Sequence, residues 1–349
     1  MANKTLKTIK FPGLDPTYVI PEHSTEFSTS TAYAVGDYCT YQGVLYRFTT
    51  AHAAGAWNAS HVVATKIADE LVACVDQYGL PNNGTYDGKD LSTVFADAAA
   101  FHTAVNSGDF SKIHIGDYWP ITVNGTYHDC AADSDKTINA LMKMEVAAIN
   151  PYLRFGDTEL NRQHVLLCSR DCMPPTLQYR SENSTWYDTT QVNPWLGSAL
   201  YATLNDADNG IVKLVEATDI GAYIFKGPNN KGMRAYLETM AAGAGVPTTG
   251  AWSDRGVLFL PEEMEVYGSK IRSPKPNTIA DMLYNQWPIF AGSGRHIIKG
   301  SGNGGGRCDW WLESAYSAAT FCNVIYNGNA NNTTAAYTGI RVPLCFLFA

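Results

Sequence analysis

Charge is scarce in this chain of 349 residues: Asp, Glu, Lys and Arg make up 17% of it, against about a quarter in an ordinary globular domain. Basic charge is the scarcer sign, with 25 Lys and Arg against 33 Asp and Glu, a formal −8. Without a basic stripe the chain lacks the footprint of a nucleic-acid binder or of a protein held on anionic lipid, so no nucleic-acid partner is expected. No apolar run approaches the roughly 18 residues of a membrane-spanning helix, so no membrane insertion is expected. The opening MANKTLKTIKFPG has no apolar stretch of the kind a secretory signal carries.

Catalytic motifs are missing too. Neither GxSxG nor HExxH occurs, the eight His do not cluster, and the glycine-rich 302–306 is not followed by the Lys-Ser/Thr of a phosphate loop. The adjacent acids Glu262, Glu263 and Glu265 read as a solvated turn rather than a general acid–base pair. Asp206-Ala207-Asp208-Asn209-Gly210, with Glu216 six residues after the glycine, fits a calcium loop only when its first positions are shifted, and a capped turn is expected instead. Eight cysteines are scattered, and the one close pair, Cys168 and Cys172, has no second pair or His at zinc spacing. Reduced, buried thiols in a protein folded in a cytoplasm are the expectation. No metal and no cofactor is expected.

Apolar residues make up 45% of the chain, with 20 Tyr, 8 Trp and 30 Gly, enough for a packed core. Residues 1–30 read as an extended arm. Residues 31–61 alternate in short runs (Val35, Tyr38 and Thr40, then Val44, Tyr46 and Phe48) punctuated by Gly36-Asp37 and Gln42-Gly43, as a small β unit does. Val63, Ile67, Leu71 and Val75 fall on one face of a helix that needs a partner, so 62–107 reads as a helical connector. Helices are predicted at 91–105, 133–149, 194–204 and 231–242. Short strands are predicted at 114–115, 165–168, 222–225 and 257–260. No βαβ alternation appears, so the fold class is α+β with much irregular backbone.

The C-terminal segment is the most informative. From Trp310 to Ile340 its one charged side chain is Glu313. Neither a 2- nor a 3.6-residue period runs through it. Full burial is excluded by Asn323, Asn327, Asn329, Asn331 and Asn332, each needing partners. Disorder is excluded by Trp310, Trp311, Phe321, Val324 and the apolar end VPLCFLFA. An ordered, loop-rich surface remains, and Tyr among small polar residues is the chemistry of antibody-like recognition.

Trp310-Trp311-Leu312, Phe321-Cys322-Asn323-Val324, Asn327-Gly328-Asn329-Ala330-Asn331 and Gly339-Ile340-Arg341 resemble the variable region of diversity-generating retroelement target proteins. That resemblance implies a C-type-lectin-like fold of the formylglycine-generating-enzyme type over 108–349, with a variable region at about 311–346. In that family template adenines are mutated, and an Asn codon so altered reaches Tyr, Thr, Ile, Ala, Ser, Asp or Val. Tyr316, Ala318, Ala319, Thr320, Ile325, Tyr326, Thr333, Thr334, Ala336, Tyr337 and Thr338 belong to that set and are the implied ligand-binding positions. Ala315, Val342, Leu344 and Phe346 also differ from the family pattern. Upstream, Gly116-Asp117-Tyr118-Trp119-Pro120-Ile121, His164-Val165-Leu166-Leu167 and Trp195-Leu196 follow the order of a domain common in gut bacteria and their phages.

Ala32-Tyr33-Ala34-Val35-Gly36-Asp37, Tyr46-Arg47, Thr49-Thr50-Ala51-His52 and Gly55-Ala56-Trp57-Asn58 resemble a small chitin-binding-like module of phage structural proteins. Val62 stands where an aromatic usually follows, which favours an architectural role. Phe11-Pro12-Gly13-Leu14 is similar to the arm that opens many tail and baseplate proteins.

The resemblance implies a non-catalytic phage receptor-binding protein on the virion surface. Its partners would be a host-cell surface protein or glycan, virion proteins through the arm, and two further copies in a homotrimer. The alternatives are a host-encoded surface ligand binder, and an enzyme of the formylglycine-generating type, which needs a cysteine pair such as Cys308 and Cys322. The binding reading predicts Tyr316, Tyr326 and Tyr337 exposed together on one face, with Trp311, Phe321 and Val324 buried.

Overall fold

The computed structural model describes residues 26–66, 87–182, 193–240, 247–273, 283–291, 296–317 and 319–349. The chain divides into two units between Leu80 and Pro81.

In the first unit β1 (Tyr38–Tyr41) and β2 (Val44–Phe48) form a hairpin around Gln42-Gly43. Both turn residues have positive φ, 54° and 78°, the backbone twist that lets a two-residue turn match its strands. β3 (Val62–Ala64) pairs with β2, giving the order β1-β2-β3. Strand pairing overrides the helical stripe here: Val63 lies in β3, opposite Arg47, and not on a helix face. Ile67, Leu71 and Val75 lie outside the described residues, so the stripe that suggested a trimer loses its first member. Tyr33, Cys39 and Phe48 form the core, with Tyr33 stacked on Phe48 at 4.5 Å.

The second unit is built on an antiparallel sheet. β4 (Tyr118–Asp129) and β5 (Ser134–Ile149) make a long hairpin, and β6 (Val165–Ser169) pairs with β5. Helices α1 (Ala98–Ser107), α2 (Ala199–Asn205) and α3 (Ile211–Glu216) start on Asp97, Ser198 and Gly210. Asp97 and Ser198 accept backbone N–H groups of the first turn, as good N-caps do. A ribbon of β7 (Arg234–Met240) and β8 (Pro247–Asp254) follows, then α4 (Glu263–Tyr267) and α5 (Pro288–Ala291).

A small hairpin of β9 (Lys299–Gly300) and β10 (Arg307–Cys308) leads into β11 (Trp310–Ser317), β12 (Thr320–Val324) and β13 (Ala330–Thr334), a second antiparallel sheet in that order. β14 (Cys345–Phe348) then returns to the first sheet, whose order is β14-β6-β5-β4. Phe101 of α1 lies between Trp119 of β4, at 5.3 Å, and Phe348 of β14, at 4.6 Å, stacked on both.

The class is α+β with a small β module ahead of it, as the sequence implies. Several elements differ. The segment 133–149 is a strand: Ile138, Ala140, Met142 and Met144 are buried at every second position, and that period outweighs the helix propensity of Ala, Met, Lys and Glu. The segment 231–242 contains β7 for the same reason, with Ala235 and Leu237 buried in alternation. Residues 91–105 split into a 3-10 turn at Leu91–Thr93 and α1. The helix placed at 194–204 starts only after Ser198, which caps it. Residues 114–115 lie in a turn ahead of β4, and 222–225 and 257–260 contribute single bridges, Ile224 to Phe348 and Phe259 to Cys345. The 310–340 segment, read as loop-rich, holds the three-stranded sheet, with loops at 325–329 and 335–340.

The acids at 262–265 are not a solvated turn. Glu262 caps α4 in a capping box with Glu265, and Glu263 accepts from Ser273 N and Oγ at 2.9 and 2.7 Å. Glu265 is an ion-pair partner of Arg255, at 2.7 Å. Asp206 does close a capped turn, accepting from Asp208 N and Asn209 N at 2.8 and 3.0 Å. Cys39, Cys130, Cys168, Cys172, Cys308, Cys322 and Cys345 are free thiols; Cys74 lies outside the described residues.

Candidate functional site

The second sheet grades from core to surface, strand by strand. In β11 Trp310 to Ala315 are all buried, in β12 four residues are buried, and in β13 none is. Buried indoles need hydrogen-bond partners. Trp310 Nε1 donates to Ile297 O at 2.9 Å and Trp311 Nε1 to Leu177 O at 2.8 Å, fastening β11 to two different loops. Tyr179 stacks on Phe321 at 3.6 Å and donates through its hydroxyl to Leu312 O.

Within β11, Glu313 is buried with its neighbours. It accepts from Arg255 Nε at 2.7 Å, while Arg255 is held by Glu265 through two further bonds of 2.7 and 3.0 Å. Burial pushes the Glu313 carboxyl well above the usual carboxylate range despite the Arg255 charge beside it. The charge the sequence assigns to this segment is therefore not on its surface.

The implied ligand-binding positions are all exposed or half-buried where described. Tyr316, Tyr326 and Tyr337 are 41%, 57% and 50% exposed, while Trp311, Phe321 and Val324 are at most 1% exposed. Ala319, Thr320, Ile325, Thr333 and Ala336 are half-buried, and Thr334 and Thr338 are exposed. Ala318 lies outside the described residues. Ala315, Val342, Leu344 and Phe346 are buried, which removes them from any displayed surface. Asn323 is buried as well, with neither amide atom hydrogen-bonded, where the sequence reading set its Asn residues at the surface.

The three tyrosines do not gather at one place on the sheet. Tyr316 precedes the β11–β12 turn. Tyr337 follows β13 at the same end, where Ala335 N donates to Ala319 O at 3.0 Å. Tyr326 sits in the β12–β13 turn at the other end of β12. Five strand residues at about 3.3 Å each separate these ends by roughly 15 Å. The Tyr326 turn is anchored by Asp309 Oδ1, 2.8 Å from Tyr326 N, and by Tyr267, whose hydroxyl donates to Gly328 O at 2.9 Å. At the other end the Tyr337 ring lies across Gly339, where a Cβ would come within 2.7 Å of it. Glycine at 339 is what lets that ring lie there.

In the first unit Tyr41 stacks on Trp57 at 4.1 Å and Tyr46 meets Trp57 edge-on at 4.9 Å, all three half-buried. The loop carrying Trp57 is pinned by a relay. Asn58 Oδ1 accepts from Ser60, so its amide donates to His61 Nε2 at 3.0 Å. His61 Nδ1 is then the donor to His52 Nδ1, at 2.9 Å. Tyr33, the outermost aromatic of the sequence motif, is instead core. Sequence reasoning missed Tyr41, whose offset from Trp57 carries no periodic signal.

The cysteine pair that an enzyme reading needs is not assembled from Cys308 and Cys322. Cys322 faces Asn332 across β12 and β13, and Cys308 is hydrogen-bonded to Cys172. No group of three or more His, Cys, Asp or Glu placed to hold a metal ion occurs among the described residues. Among the described residues no helix is long and apolar enough to cross a membrane.

Residues 26–64 match the family described as carbohydrate-binding module family 5/12. Residues 162–347, more than half of the chain, match a family described as a domain of unknown function, DUF6273. No curated protein and no solved structure matches the chain. The chain belongs to the DUF6273 family, and the segment ahead of that domain is similar to carbohydrate-binding module family 5/12.

Proposed function

We propose that this DUF6273 protein is a non-catalytic receptor-binding protein of a bacteriophage, whose C-terminal C-type-lectin-like domain presents a retroelement-diversified surface to a host-cell ligand. The observation that carries the reading is the sorting of one sheet. Every frame residue from Trp310 to Leu312 and from Phe321 to Val324 is buried, and none of the implied ligand-binding positions that the structure describes is. A binding surface that can change without disturbing the fold requires that separation, because core volume changes are felt at once and surface changes are not. Rigid tyrosines beside Thr and Asn supply contact area and adaptable hydrogen bonds at low ordering cost. Glu313 being buried, the surface carries little charge of its own for long-range steering.

The N-terminal module adds a second contact. Its match to a carbohydrate-binding family and the half-buried Tyr41–Tyr46–Trp57 group fit a glycan on the same host surface or a neighbouring virion component.

The test is binding of the purified protein to host cells. Tyr316→Ala, Tyr326→Ala and Tyr337→Ala together should abolish most of it, with circular dichroism unchanged and little difference between low and physiological salt. Binding that survives the triple variant and collapses with salt would move the receptor site elsewhere. An Asn-rich near-copy of the 311–346 coding segment beside a reverse-transcriptase gene would confirm diversification, and its absence would remove that part alone.

A further inference from the structure

β14 returns to the first sheet with Cys345 directly opposite Cys168. The neighbouring pair, Ser169 and Leu344, is the hydrogen-bonded one, Ser169 N donating to Leu344 O at 2.8 Å. Cys168 and Cys345 therefore form a non-hydrogen-bonded pair, the close class with Cα atoms about 4.5 Å apart, within the span a disulfide takes. Their sulfurs are 2.9 Å apart, with Cys345 as donor. Both side chains are buried.

Against this pair lies Lys299, 1% exposed. Its ammonium donates to Ser169 O at 2.5 Å and Arg170 O at 3.3 Å, and lies 5.6 Å from the Trp310 ring. The acid of this region, Glu145, is occupied by Arg170 at 2.5 Å and His296 at 3.2 Å. A buried ammonium calls for an anion. The charges that act on it most strongly are those of Cys168 and Cys172, followed by Glu145 and then Cys345.

We propose that Cys168 and Cys345 are a redox dithiol that closes into a cross-strand disulfide fastening β14 to β6. The two sulfurs have unequal roles. Burial opposes a thiolate at Cys168, but the hydrogen bond from Cys345 and the Lys299 charge outweigh it and hold that thiol below its ordinary range. Burial and the same hydrogen bond push Cys345 up. Cys168 is the attacking sulfur and Cys345 the resolving one.

The oxidant is a small-molecule disulfide. The Cys168 thiolate attacks one of its sulfurs, forming a mixed disulfide and expelling one small thiolate. Cys345 then loses its proton to solvent, attacks Cys168 Sγ and expels the second. Two protein thiols are oxidised to one disulfide, and one small disulfide is reduced to two thiols. Because the pair is buried, exchange proceeds through local lifting of β14.

The experiment uses the full chain, purified reduced and incubated with oxidised glutathione. Remaining thiols are then alkylated under denaturing conditions and the peptides mapped by mass. A peptide joining 168 to 345, lighter than its parts by two hydrogens and released by dithiothreitol, is the expected result. Cys345→Ser should leave glutathione on Cys168. Lys299→Met, with unchanged circular dichroism, should slow loss of the Cys168 thiol by about tenfold. Cys168 and Cys345 recovered fully alkylated, or a bridge from Cys172 to Cys308 in their place, overturns the proposal. The mapping of the unaltered protein decides it even if a variant fails to fold. Neither result bears on the binding surface.

Discussion

The two sheets of the second unit use β structure to opposite ends. In the first, β5 and β6 pair on both sides, and β14 is flanked by β6 and by the bridges from Ile224 and Phe259. In the second, β11 is buried from Trp310 to Ala315, β12 from Phe321 to Val324, and β13 nowhere. In the first sheet β6 and β14 are buried throughout, while β4 and β5 bury alternate positions over much of their length; the other is a core on one side and a display on the other. Local sequence shows the difference: apolar residues run on in VLLCS, while Asn and Thr fill Ala330–Thr334.

That contrast can be broken at its strongest point. Trp311→Ala should cost about 3–5 kcal/mol in denaturant unfolding, since it opens a cavity and orphans Leu177 O. A loss under about 1 kcal/mol would mean that β11 is not a core strand. Arg255→Met should also cost about 3–5 kcal/mol, because two buried carboxylates lose their cation; a neutral result would show that the enclosed side does not depend on this ion cluster.

The next prediction sharpens the display side. Tyr316→Ala with Tyr337→Ala tests one end of the sheet and Tyr326→Ala the other. The end that holds the ligand should lose about 1–3 kcal/mol of binding per tyrosine, read by titration calorimetry or cell binding. Equal losses at both ends would show a ligand broad enough to span β12.

A pH dependence separates the sheets further. Burial alone would raise Glu145, but His296, Arg170 and Lys299 together hold its carboxyl below the usual range. Its contribution is present above the unfolded carboxylate value of about 4.3 and is lost as pH falls through the lower folded one. Glu145→Gln should flatten the acid limb of the stability–pH curve. Glu313, pushed the other way, contributes stability that is lost as pH rises through its folded value. The smallest expected effect is at the rim: Thr334→Ser should leave unfolding within about 0.5 kcal/mol.

How much was legible in the sequence follows the same division. The β module, the strand at Val165–Ser169, the burial of Trp311, Phe321 and Val324 and the exposure of three tyrosines could all be read from residue type and motif. The strands β5 and β7 could not, because helix-favouring residues concealed a period of two that only cross-strand burial makes decisive. The enclosure of Glu263, Glu265 and Glu313 was hidden because their partners, Ser273 and Arg255, are set by tertiary contact. The placement of Tyr326 apart from the other tyrosines needed strand register, which residue spacing does not contain.

The β4–β5 hairpin, whose partners meet across the short turn after Asp129, also has a kinetic meaning. Its contacts close small loops, whereas Cys168 meets Cys345 across 177 residues, and loop-closure entropy must be met before distant pairs reward it. Assembly should therefore nucleate at the hairpin and finish with β14 docking. Pulse-labelled amide exchange showing β14 protected before β4 and β5 would reverse that order.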